Sequence, residues 1–183
     1  MQDGPSPELD DLLLAGYFTP ERAAELDAAQ PGTRGSVLGW AREALAAGNW
    51  ARAGGLVNLA AALRVPGLGE LLCGLVETGD VRPGGPNLED AVDILGELQD
   101  EQAVGPLFRL VQRVVEAGTD APAFWLCQKA VFSLAEIGTD EADARLIELT
   151  GEAWPGPVRW HAAVALGVED ELGFDEDELL NER

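Results

Sequence analysis

The chain has 183 residues, 46% of them hydrophobic and 25% charged, with a formal net charge of −21 at neutral pH. That length fits one domain with a sizeable core, and no run approaches the roughly 18 apolar residues of a membrane span. With 33 acids against 12 bases, the field of the chain repels nucleic-acid phosphates and favours a basic partner, or serves solubility alone.

Met1 to Pro5 is polar and acidic, without the basic and apolar regions of a secretory signal, so such a signal is expected to be absent or removed before this numbering starts. Ser6 to Tyr17 reads as a short helix with Leu9, Leu12 and Leu13 as its apolar stripe. Thr19-Pro20-Glu21 opens a second helix that runs to about Gln30. Pro31 to Gly35 is a break, after which Ser36 is expected to cap a helix carrying Val37, Trp40, Ala41 and Ala44. Gly48 ends that helix and Asn49 caps the next, which holds Trp50, Ala53, Leu56 and Leu63. A leucine-rich helix follows from Gly67 to Thr78, and Val81 to Pro86 is a loop.

From Asn87 the same pattern is written twice. Ala91, Leu95 and Leu98, then Ala103, Leu107 and Leu110, return 39 residues later as Ala130, Leu134 and Ile137, then Ala142, Leu146 and Leu149. Spacings of three and four residues put each trio on one face of a helix. A period of that size marks stacked helical hairpins, each too small to bury its own apolar face. Leu59 to Leu72 is an earlier copy and Val158 to Gly167 the first helix of a later one. No stretch alternates apolar and polar residues as a strand would.

The Ala-x-x-x-Leu-x-Glu-Ile/Leu string, the alanine after the turn and the paired leucines beyond it resemble short bacterial HEAT-like repeats, the kind also found in phycobilisome lyase proteins. The resemblance covers about residues 50–168 and implies an all-α fold, an α-α superhelix of stacked hairpins. It implies one α-solenoid domain over 1–183: capping helices over 1–48, repeats over 49–168, and an acidic segment over 169–183. That last segment is either a cap, closed by Leu172, Phe174, Leu179 and Leu180 over the helix of Ala162 and Leu166, or an acidic recognition tail. About function the resemblance is nearly silent, because such arrays serve unrelated ends.

Nothing in the sequence assembles into a reactive constellation, and no enzyme is expected. His161 is the only histidine and falls on the polar side of its helix, where it reads as solvated. Ser133 lies mid-helix without a glycine elbow. Cys73 and Cys127 lie in different repeats and read as reduced thiols of a cytoplasmic protein, Cys127 buried and Cys73 partly exposed. No His/Cys pair has metal-ligand spacing, so neither a metal nor another cofactor is expected. Glu97 and Glu136 recur at one register position, which predicts contact with a turn or a neighbouring helix end rather than catalysis.

Residues 1–85 hold 11 acids and 6 arginines, whereas residues 86–183 hold 22 acids and 6 bases. The sequence therefore points to a non-enzymatic module that binds a basic protein partner, as an adaptor or as an immunity or inhibitor protein. The alternative is a lyase-like or chaperone-type accessory subunit of an enzyme. Neither nucleic acid nor membrane is an expected partner, and one lysine beside eleven arginines points to a GC-rich bacterial source. The second helices of such arrays line the binding surface. The partner-facing candidates are accordingly Glu141, Asp143, Arg145, Glu148 and Glu152, with Arg159 and Trp160 nearby in sequence. At the repeat offset Arg109 is level with Glu148 and Arg113 with Glu152, which predicts an inter-repeat ladder of ion pairs. Trp160 is either covered by the C-terminal segment or exposed as an interface anchor.

Overall fold

Helix after helix in this chain starts at a side chain that satisfies an orphan amide of its first turn. The computed structural model describes residues 9, 12–13, 17–80, 84–118 and 122–174, with the backbone alone at 122 and 123. Among these residues there is no strand, and the named helices are α1 (Pro20–Ala29), α2 (Thr33–Ala46), α3 (Trp50–Ala62), α4 (Leu68–Thr78), α5 (Leu88–Glu97), α6 (Val104–Glu116), α7 (Pro122–Ile137), α8 (Asp140–Leu149) and α9 (Gly156–Leu166). A single 3-10 turn, Glu101–Ala103, leads into α6. Thr19, Asn49, Asn87 and Thr139 accept from the amides of Arg22, Arg52, Asp90 and Ala142 at 3.2–3.3 Å, which is the standard way an N-terminal turn is closed.

One cap differs from expectation. Helix α2 begins at Thr33 rather than after Ser36, because its closure comes from the preceding helix. Asp27 of α1 accepts from the Arg34 amide at 3.0 Å, the buried Thr33 hydroxyl donates to the Gln30 carbonyl at 2.8 Å, and Gly32 turns the chain at a φ of 101°. The Pro31–Gly35 stretch is thus a two-residue turn followed by helix.

The helices stack as hairpins in two layers. Helices α3, α5, α7 and α9 pack side by side as one layer; α4, α6 and α8 form the other. Leu59, Leu95 and Leu134 point from the first layer, and Leu72, Leu107 and Leu146 from the second, into one continuous core in which all six are buried. The periodic trios behave as their spacing requires: eleven of the twelve residues of the two clean repeats are buried, and Leu98 is partly buried against the same core.

Small residues and polar contacts set the approach of neighbouring helices. At Gly96 of α5 an added Cβ would lie 2.5 Å from the Glu136 carboxylate and 2.9 Å from Ser133 Oγ of α7. The buried Ser133 hydroxyl donates to the Val92 carbonyl at 2.9 Å, and Gln99 donates from the turn to the Glu136 carbonyl at 3.0 Å. Glu136 therefore meets the neighbouring helix end and turn, as its recurrence predicts.

The array is covered at its N-terminal end. Leu9 and Leu13 are buried in helical backbone, and the Leu13 main chain lies directly on Gly55 of α3. At the other end the expected cap is incomplete within the described residues. Leu172 is 52% exposed. Phe174 lies half-buried under Arg159, whose guanidinium is 5.1 Å from the ring centroid. Leu179 and Leu180 lie outside the described residues.

Candidate functional site

The two layers expose different chemistry. On the second layer, α8 presents Glu141, Arg145 and Glu148 along one face, at helical spacings of four and three, with Glu152 just beyond its end. Arg145 pairs with Glu148 at 2.9 Å and also sits 4.8 Å from the Phe108 ring centroid, tying α8 to α6. Asp143 lies on an adjacent face beside Ile147, which is 61% exposed. The four acids are exposed; Glu141, Asp143 and Glu152 have no ion pair among the described residues.

The expected ladder runs the other way. Arg109 pairs with Glu77 of α4, not with Glu148, and Arg113 donates to the carbonyls of Val76 and Gly79 at the end of α4, not to Glu152. The carbonyl-rich end of α4 carries the negative pole of its macrodipole, which favours the Arg113 guanidinium there. The contact is inter-repeat as expected, but each arginine reaches back to the preceding hairpin.

Arg159 and Trp160 lie on α9, with Arg159 reaching the C-terminal end of α8. Arg159 Nε donates to the Thr150 carbonyl at 3.3 Å, and Trp160 is half-buried edge-on to His161, with centroids 4.9 Å apart. His161 in turn meets Phe132 of α7 at 6.1 Å. This corrects the solvated reading of His161: it is partly buried between two aromatic rings. Its Nδ1–H donates to the Pro157 carbonyl at 2.6 Å. Burial holds its pKa below the ordinary histidine value, against the opposing effect of that hydrogen bond.

On the first layer, a groove of about 260 Å³ runs between α5 and α7, walled by Asp93, Glu97, Trp125, Phe132 and Glu136. A second groove, of about 740 Å³, lies between α3 and α5 and is lined by Tyr17, Asn58, Arg64, Asp90 and again Asp93 and Glu97. Lys129 crosses the first groove to pair with Asp93, and its pKa is raised by that hydrogen bond and by the charges of Asp93, Glu89 and Asp90. Trp125 is 54% exposed, with its Nε1 donating to Glu89 at 3.2 Å. These aromatics were not singled out from sequence. The signal was available in the register, since Phe132 occupies the outward position that Asp93 holds one repeat earlier.

A further cleft of about 900 Å³ lies where α2, α3 and α4 meet, lined by Arg42, Trp50, Glu70, Leu71 and Leu75. Among the described residues no three His, Cys, Asp or Glu side chains converge on a point where a metal ion could sit. The Ser133 hydroxyl is spent on a backbone carbonyl. Both cysteines are free thiols with strongly raised pKa values: burial takes Cys127 to about 12, and burial with the nearby Asp100 and Glu77 charges takes Cys73 to about 11. At pH 8 the half-buried Cys73 should therefore react with iodoacetamide on the order of a hundredfold more slowly than an unperturbed thiol of pKa about 8.5. Mass-resolved alkylation kinetics on the folded protein measure this; a rate equal to that of the urea-unfolded chain would show that Cys73 is not held as a thiol.

No described helix is long and apolar enough to cross a membrane. The chain matches no protein-family model, no curated protein and no solved structure at a significant level.

Proposed function

We propose that this chain is a non-enzymatic protein-binding module, a HEAT-like acidic scaffold whose partner is a basic protein. The observation that carries this reading is the surplus of unspent carboxylates on a rigid two-layer frame. Glu97, Glu136, Glu141, Asp143 and Glu152 are all exposed and none has an ion pair among the described residues. Charge left unpaired on a packed scaffold costs self-repulsion but speeds encounter with a cation and rejects anionic competitors. A small rigid binder of this kind suits an adaptor or an immunity or inhibitor protein neutralising a basic toxin. The free thiols fit a reducing, cytoplasmic setting.

Affinity capture from an extract of the native host tests the reading. At about 0.1 M salt one basic protein should be retained, and most of it should be lost at about 0.5 M, where surface charges are screened over a few ångströms. Retention of nothing, or of proteins insensitive to salt, would remove the electrostatic binder and favour an accessory subunit that docks through apolar contacts.

A further inference from the structure

The first-layer groove between α5 and α7 is a trough whose Asp93 and Glu97 wall also borders the groove between α3 and α5. Its chemistry is unusual for a solvated face. Single exposed aromatics need no explanation, but Trp125 and Phe132 lie seven residues apart on α7, on one helical face, and both line a groove walled by carboxylates. The Trp125 ring is held in place through Glu89. A π face and a carboxylate side by side attract the same thing, a cation. An intramolecular one already lies there, the Lys129 ammonium on Asp93. Glu97 and Glu136, by contrast, have no ion pair among the described residues.

Resting on the binder reading above, we propose that this trough receives an arginine-bearing segment of the partner protein, with guanidinium groups stacked on Trp125 and Phe132 and paired with Glu97 and Glu136. Guanidinium fits better than ammonium because it is planar, can lie flat on a ring, and meets a carboxylate with two parallel N–H groups. An anionic strand is repelled by the same walls. The α8 row lacks this combination: its arginine is already engaged by Glu148 and Phe108.

The test uses the full chain and a fluorescent arginine–glycine repeat peptide, with a lysine–glycine peptide of equal length, followed by anisotropy at about 0.15 M salt. The arginine peptide should bind several-fold more tightly than the lysine peptide. Trp125→Ala with Phe132→Ala, which leaves the net charge unchanged, should weaken arginine binding roughly tenfold. Glu97→Gln with Glu136→Gln should weaken it by a similar factor. Glu141→Gln with Glu148→Gln, an equal change of charge on the other layer, should weaken it by less than about twofold. Circular dichroism checks each variant; Trp125→Ala alone replaces the double variant if that one loses helicity. Equal losses for the two glutamate variants with no loss on removing the aromatics would overturn the trough while leaving a general acidic binder standing. So would failure of the peptide to bind when a basic protein is captured from the host extract. Failure of both peptide and capture would overturn the trough and the binder together.

Discussion

Leu134→Ala is expected to destabilise the protein by about 2–5 kcal/mol, the range for a buried leucine that leaves a cavity. Leu134 has no exposed surface, and its helix, α7, packs against α5, α6, α8 and α9. A cavity there cannot be closed by the movement of one neighbour, because each of the four is held by another. The comparison is Ile147→Ala on α8, a residue 61% exposed, expected to change stability by no more than about 0.5 kcal/mol. Urea unfolding of the two variants against the parent measures both. A Leu134→Ala cost below about 1 kcal/mol would mean that α7 is not the centre of the core.

The second large effect is a change of sign between adjacent residues. Gly54 and Gly55 both lie in α3, where alanine is the better helix former by about 1 kcal/mol. An added Cβ at Gly54 meets nothing within 4 Å, so Gly54→Ala should stabilise by about 0.5–1 kcal/mol. At Gly55 the same atom would lie 3.0 Å from the Leu13 carbonyl carbon and closer still to its oxygen. That obstacle is main chain and cannot rotate away as a side-chain tip could. Gly55→Ala should therefore destabilise by about 1–3 kcal/mol, by lifting Leu9 and Leu13 off α3. Thermal unfolding gives the sign of each substitution. Hydrogen exchange should show faster exchange around Leu9–Leu13 in Gly55→Ala alone. Two variants of equal stability would mean that the N-terminal segment does not rest on Gly55.

The elements most legible in sequence were those whose causes are local. Ala91, Leu95 and Leu98 and their counterparts follow from spacing alone, and the Asn49 cap from residue type at a break. What stayed hidden depends on contacts across the chain. The start of α2 was misplaced because its amide is closed by Asp27, seven residues back in another helix. Aligning the repeats said which residues are level, but not that Arg109 and Arg113 lean back toward α4. The first-layer trough was invisible for a related reason: Trp125 and Phe132 could be placed on an outward face, but the groove exists only once α5 and α7 lie side by side. His161 was read as solvated because its register mates are polar, whereas Phe132 and Trp160 flank it in space.

The packing of each helix against its nearest and next-nearest partners in the chain has a kinetic consequence. Closing such contacts needs only short loops, so little chain entropy is lost before the first ones form, and low contact order of this kind goes with rapid folding. The hairpins of α5 to α8, with flanking helices on both sides, are the natural nucleus; from there the array can grow outward in either direction, one helix pair at a time. The same geometry sets the order of loss: α1 and α9, whose helix partners among the described residues all lie toward the middle of the array, are where opening is expected to begin.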